Sequence, residues 1–163
     1  MDAFDYKIIK LLMANGRMTW ADLASQVGLS APAVAERVNR LQANGVITGI
    51  CALIDGERVG AECTAFVAVT LEKPQFREAF LEQVNALEEV QECHHIAGDD
   101  DYLLKIRCRN TKDLDRVISY GIKGLHGVLR TRTTIVMDTL KETVQIPLQE
   151  DAFAAGGRGE HGH

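Results

Sequence analysis

Two observations predict an α+β fold for this chain. The first third reads as three short helices separated by glycine-bearing turns, and from about residue 63 strands and helices alternate as strand, helix, strand, strand, helix, strand. A third observation supports a buried core: 46% of the 163 residues are hydrophobic and 25% charged, the balance of a soluble globular chain with room for one ordinary domain or two small ones.

Phe4, Ile8, Leu11 and Leu12 recur at helical spacing, and Asn15-Gly16 closes that segment as a C-cap. Thr19 caps a second helix, with Asp22 three positions on as a short capping box and Leu23 and Val27 facing inward. Gly28 turns the chain. Ser30 caps a third helix that accepts Pro32 in its first turn, carries Val34, Val38 and Leu41 as its apolar stripe, and stops at Asn44-Gly45. Two helices joined by V-G-L-S match the helix-turn-helix unit, here over Trp20 to Asn39. Val46-Ile47 and Ile50 to Ile54 read as two short strands around Thr48-Gly49, a small wing.

The second part predicts a strand at Thr64–Leu71, a helix at Pro74–Leu87, strands at Val90–Ala97 and Tyr102–Cys108 around a Gly98–Asp101 turn, a helix from Thr111 to about Gly121, and a strand from Val128 to Leu140. That order is ferredoxin-like βαββαβ. The predicted organisation is a winged helix-turn-helix over 1–50, a linker strand over 51–62, a ferredoxin-like domain over 63–142 and a tail over 143–163 whose end reads as disordered. In the first strand Ala65, Val67, Val69 and Leu71 alternate with Phe66 and Ala68, so both sheet faces call for cover, and a second subunit is the simplest cover.

Charge is unevenly spread. Residues 1–49 hold five basic and four acidic residues, and 50–163 hold 13 basic and 19 acidic, so the net −5 conceals a slightly positive N-terminal third. A polyanion would bind there. No apolar run approaches the roughly 18 residues of a membrane span and the start lacks a signal pattern, so a cytoplasmic, nucleoid-associated protein with no membrane partner is expected. Cys51, Cys63, Cys93 and Cys108 form no C-x-x-C pair, which argues against a zinc knuckle or a disulfide framework.

Projected at 100° per residue, the outward face of the third helix carries Pro32, Ala33, Glu36, Asn39, Arg40 and Ala43, with Arg37 on its flank. Small residues near its start would let the helix end enter a major groove, where Asn39, Arg40 and Glu36 meet adenine, guanine and cytosine edges. From these residues alone an ordinary solvated face with a Glu36–Arg40 pair fits equally well.

The run DYKIIKLLMANGRMTWADLASQVGLSAPAVAERVNRLQANGVITGI resembles the winged helix-turn-helix of the leucine-responsive and asparagine-responsive regulator family (Lrp/AsnC), through NGR, the LA..VGLS turn and the RV..L...GVI.G ending. ECHHIAGDDDYLLKI resembles that family's strand-turn-strand signature, a Gly-Asp-x-Asp-Tyr turn before an apolar strand, and RTRTTIVMDTLKE its last strand. One departure is Ile50, where many members carry Tyr. The resemblance spans residues 1–142 in order. It implies a transcription regulator that binds double-stranded DNA through Ser30, Ala31, Pro32, Ala33, Glu36, Arg37, Asn39 and Arg40, and forms a homodimer that assembles into an octamer. It also implies an amino-acid effector bound at a subunit interface. An architectural, DNA-wrapping protein of the nucleoid is the alternative.

At Gly98-Asp99-Asp100-Asp101-Tyr102, Gly98 is expected to take positive φ and bring backbone N–H groups to an α-carboxylate, while Asp99 or Asp101 neutralises an α-ammonium. Read without the resemblance, the same turn is a solvated hairpin tip. With the resemblance, effector contacts are expected at Gly98, Asp99, Asp101 and Tyr102, completed by Thr134 and Val136. No metal and no catalysis are expected: adjacent His94 and His95 point to opposite strand faces, spacing provides no third ligand beside Cys93, and no nucleophile–base pair is identifiable.

Overall fold

A computed structural model describes residues 1–148. The chain divides into two compact units, Met1–Leu53 with the described residues from Glu142 onward, and Ile54–Lys141.

The first unit holds α1 (Ala3–Ala14), α2 (Trp20–Val27) and α3 (Ala31–Ala43). Each N-terminus has a side chain that accepts orphan amide protons. Asp2 caps α1 in a capping box with Asp5, Thr19 caps α2 in a box with Asp22, and Ser30 caps α3 with Pro32 in the first turn. Between α2 and α3, Gly28 lies in the left-handed region at φ 81°, and the N–H groups of Gly28 and Leu29 both donate to the Ala24 carbonyl. That turn presses Ile8, Leu23, Val27, Val34, Val38 and Leu41 into one core.

The two wing strands are absent. Val46 and Ile47 donate their N–H groups to the Leu41 carbonyl at 2.9 and 3.1 Å and so finish α3, and no described strand lies beside residues 50–54 to complete a ladder. Ile50 instead packs on the NGR turn: a Cβ at Gly16 would stand 2.8 Å from its Cγ2. The described start of the tail is also engaged, since Leu148 O accepts from the Tyr6 hydroxyl and Gln145 Nε2 donates to Met13 O, both at 3.4 Å. The disorder expected at the chain's end falls mostly on 149–163, outside the described residues.

The second unit is ferredoxin-like: β1 (Cys63–Leu71), α4 (Arg77–Ala86), β2 (Val90–His95), β3 (Tyr102–Cys108), α5 (Thr111–Arg116) and β4 (Val128–Ile135), with an antiparallel sheet ordered β2-β3-β1-β4. One face of β1 and β3 (Ala65, Val67, Val69, Tyr102, Leu104 and Ile106) packs against Phe80 and Val84 of α4 and Leu114 of α5. The helix read from Pro74 opens as a 3₁₀ turn over Pro74–Phe76, and β2 stops at His95 rather than Ala97. Two further elements differ more. The second helix leaves α geometry at Val117 and continues as a π-helix to Ile122, with Lys123 N bonded to Ile118 O at 2.7 Å. The last strand ends at Ile135 rather than Leu140, because Val136 N takes Thr64 O and β1 starts one residue earlier at Cys63, leaving nothing further to pair with.

Among the described residues neither α4 nor α5 packs on the other face of the sheet. It presents Thr64, Phe66, Ala68 and Thr70 from β1, Leu103, Lys105 and Arg107 from β3, and Arg130, Arg132 and Thr134 from β4. Phe66 and Ala68 make an apolar centre, as the alternation predicts, but neighbouring strands ring it with cations.

Candidate functional site

Val34, Val38 and Leu41 are buried, so the opposite side of α3 faces outward, with Pro32, Glu36, Asn39, Arg40 and Ala43 exposed and Ala31 and Ala33 half-buried. Ser30 Oγ takes the Ala33 amide at 3.4 Å, Ser30 O takes that of Val34, and Pro32 has none, so the Ala31 N–H is left at the helix start. Phosphate oxygens are the natural partners of such a group.

The two arginines of α3 are not in equivalent settings. Arg37 Nη1 lies 2.8 Å from Asp5 Oδ1 and 2.8 Å from Asp2 Oδ2, and its guanidinium stands 5.4 Å from the centre of the Phe4 ring. Arg40 Nη2 reaches the same Asp5 carboxylate at 3.1 and 3.2 Å. Asp5 is 1% exposed. The Asp5 amide, followed by the Arg37 guanidinium, holds the Asp2 carboxyl below its ordinary range, and the two carboxylates raise Arg37 above its own. The Glu36–Arg40 pair considered from sequence gives way to this arrangement. Asp5 was missed, although the signal was present: it falls on the Asp5, Ile8, Leu12 spacing, a charge on an otherwise apolar stripe.

The acidic turn is equally uneven. Asp101 builds it: its carboxylate accepts the Leu71 N–H at 2.7 Å where the β1–β4 register shifts, its own N–H donates to Val69 O, and its carbonyl takes Ile96 N–H. Asp100 is buried and accepts from the Thr70 hydroxyl at 2.8 Å, Arg130 at 3.1 Å and Arg132 at 2.7 Å. The Thr70 hydroxyl first, then the two arginines, hold its carboxyl below the usual range. Asp99 is exposed, with Arg130 Nη2 3.5 Å from its carbonyl.

Gly98 does not take the positive φ expected of it; Gly28, Gly45, Gly60 and Gly127 do. The connection at 98–101 reverses the chain without a left-handed glycine. Space beside Gly98 is nonetheless open, with nothing within 4 Å of where a Cβ would stand. Tyr102 is buried against Phe80, ring centres 4.9 Å apart.

Within one chain the structure does not bring Thr134 and Val136 to this turn. Thr134 pairs with Phe66 and Val136 bonds Thr64, whereas the turn sits level with Val69 to Leu71. At about 3.3 Å per residue that is a separation on the order of 10–20 Å. Thr70, Arg130 and Arg132 stand beside the turn instead. The two arginines are visible in sequence as an R-x-R on one strand face, but only the β1–β4 register shows what they face.

The Cys and His side chains go elsewhere. Cys93 lies on the core side of β2, where burial pushes its thiol up, and His95 stacks on Tyr102 at 5.3 Å. His94 pairs with Glu92 at 3.0 Å across the strand from Leu103. Among the described residues no three His, Cys, Asp or Glu side chains are grouped to hold a metal. Cys63 and Cys108 face each other across β1 and β3, and burial followed by the neighbouring Cys63 pushes the Cys108 thiol up to about 12.

Comparison with known proteins agrees in both halves. Residues 1–42 match the AsnC-type helix-turn-helix domain and residues 64–146 the Lrp/AsnC ligand binding domain. A leucine-responsive regulatory protein of Haemophilus influenzae is 41% identical over 145 residues, covering 88% of this chain and 87% of its own. The chain belongs to the Lrp/AsnC family. A proline dehydrogenase transcriptional activator of Rhizobium radiobacter is 39% identical over 147 residues, covering 88% of this chain and 93% of its own. A Neisseria meningitidis transcriptional regulator in complex with L-methionine superposes with a TM-score of 0.85 at 28% identity, covering 90% of this chain and 96% of that one. The feast or famine regulatory protein of M. tuberculosis complexed with L-methionine gives 0.79 at 36% identity, covering 89% and 97%. This Lrp/AsnC protein is accordingly a transcription regulator with a helix-turn-helix and an Lrp/AsnC ligand binding domain, and its relatives are regulators, not enzymes.

Proposed function

We propose that α3 inserts its N-terminal half into the major groove of specific DNA sites, and that an amino acid bound at the 98–102 turn, at an interface between subunits, changes that binding or the assembly state. The observation that carries this reading is the outward face of α3, held at its base by the Gly28 turn and presenting small residues first and Glu36, Asn39 and Arg40 further on. The backbone N–H of Ala31 at the helix start positions the helix on phosphate, and Asn39, Arg40 and Glu36 read base edges. Arg37 lies at the flank of the same face.

One helix with so little net charge binds DNA weakly. A homodimer presents two such helices to half-sites about one turn apart, and an octamer presents eight, so avidity compensates for the missing basic patch. At the turn, exposed Asp99 offers a carboxylate for an α-ammonium, and Arg130 and Arg132, with side chains 57% and 66% exposed, offer guanidinium N–H groups for an α-carboxylate. Opposite charges this close suit a zwitterion. Thr134 and Val136, remote from the turn within one chain, join the site from a neighbouring subunit.

Two measurements test the reading together. A thermal-shift screen against the twenty amino acids should find at least one that raises the melting temperature, because a ligand specific to the folded state stabilises it. Footprinting on genomic fragments should then show discrete protected sites that shift with that amino acid. Continuous protection indifferent to every amino acid would favour the architectural alternative and overturn the proposal.

A further inference from the structure

Asp5 has no place in a simple account of the helix-turn-helix, yet it is the most buried charged side chain of the first unit and touches both arginines of the recognition helix. Resting on the DNA-binding reading above, we infer that Asp5 is a positioning residue for DNA recognition: it withdraws Arg37 from the DNA and leaves Arg40 as the one cation that α3 presents to phosphate or base.

The difference between the two arginines carries the inference. Arg37 donates to two carboxylates at 2.8 Å each, is 23% exposed in its side chain, and has the Phe4 ring alongside. Reaching a phosphate would break two charge-assisted bonds and strip a buried carboxylate of its closest partner, a loss a single phosphate contact does not restore. Arg40 reaches a single carboxylate, at 3.1 and 3.2 Å, and is 55% exposed. With more than half of its side chain exposed and one carboxylate rather than two to satisfy, it can add a DNA contact without abandoning Asp5. A carboxylate bonded to one side of a guanidinium also limits the directions in which the other side points, which turns a flexible surface cation into an aimed one.

Glu36, Arg37 and Arg40 give α3 a net +1, and Asp2, the cap of α1, and Asp5 set two carboxylates against Arg37. Removing the Asp5 charge once Asp2 is neutral would return Arg37 to the electrostatic reach of DNA.

The test is the salt dependence of binding to a fluorescein-labelled mixed-sequence duplex, read by anisotropy, with the melting temperature of each variant measured in parallel. Each phosphate contact contributes about 0.9 to the log–log slope, or roughly threefold in affinity over a fourfold rise in salt. Arg40→Gln should flatten the slope by about that amount per subunit. Arg37→Gln should leave the slope as in the parent while lowering the melting temperature. In an Asp2→Asn background, where Asp5 alone holds Arg37, Asp5→Asn should steepen the slope, whatever it does to stability. An equal flattening by R37Q and R40Q, or an equal slope in D2N and D2N/D5N, overturns the inference. Should D2N/D5N melt below the assay temperature, the R37Q and R40Q comparison decides alone. If the parent protein itself fails to bind the duplex, the DNA-binding reading falls, a result distinct from any difference among variants.

Discussion

Asp100 shows how one side chain ties a loop to a sheet. It occupies the variable position of the Gly-Asp-x-Asp-Tyr turn, yet here it is buried and holds Thr70, Arg130 and Arg132 together. Its folded-state pKa is depressed, so its contribution is present above the unfolded carboxyl value, about 3.9, and is lost as pH falls through the folded value. Asp100→Asn should therefore melt below the parent at pH 7, and the gap should narrow as pH is taken below about 4. Melting curves at pH 7 and pH 3 check this, and a gap of equal size at both would refute the ionic account. By the same reasoning Asp99, exposed in the same turn, can be exchanged for Asn at little cost to stability, which leaves it available to a ligand.

At the scale of elements, glycines that share a backbone conformation differ in what surrounds them. Gly28 and Gly127 both lie at positive φ, 81° and 91°. Nothing stands within 4 Å of a Cβ at Gly28, so Gly28→Ala costs only the left-handed strain, about 1–2 kcal/mol. At Gly127 the same atom would sit 2.1 Å from Phe76 Cγ, in a ring that stacks edge-on against His126, and the Gly127 carbonyl accepts the Glu72 N–H at 2.8 Å. Gly127→Ala adds displacement of that ring to the strain, and should cost at least about 2 kcal/mol more than Gly28→Ala. Urea unfolding of the two variants, followed at the C-terminal and N-terminal units separately, measures the difference; equal destabilisation would show that Phe76 moves freely. The capping boxes of α1 and α2 act at this scale too, since they set where each helix begins and hence where α3 starts.

For the whole molecule, the sheet face without helices is the feature that one chain leaves unfinished. Phe66, 37% exposed, and Ala68 lie at its centre, with Lys105, Arg107, Arg130 and Arg132 around them. A second copy covering this face buries the apolar centre within a polar rim, where Arg130, Arg132 and Lys105 keep their own carboxylates Asp100 and Glu92. Phe66→Lys places a second lysine beside Lys105, its register partner, and removes the apolar anchor. Sedimentation velocity at micromolar concentration should find the parent self-associated and this variant shifted at least tenfold toward monomer, about 1.4 kcal/mol per subunit contact. A monomeric parent would exclude this face as the dimer surface.

The amino-acid sequence by itself determined the local structure. Periodicity and end signals placed α1, α2 and α3, the β1–α4–β2–β3–α5–β4 order and the turn at 98–101, because caps, glycine turns and apolar spacing act over a few residues. The same signals also overreached: apolar residues at 46–54 and 136–140 alternate like strands, but a strand exists only where a partner offers hydrogen bonds, and none is present among the described residues. Only the tertiary structure decided which charges meet. Asp5 with Arg37 and Arg40 lies 32 and 35 residues apart in sequence, and Asp100 with Arg130 and Arg132 30 and 32. Such pairs depend on helix packing and strand register, so a carboxylate that looks free in the sequence proves to be committed in the fold.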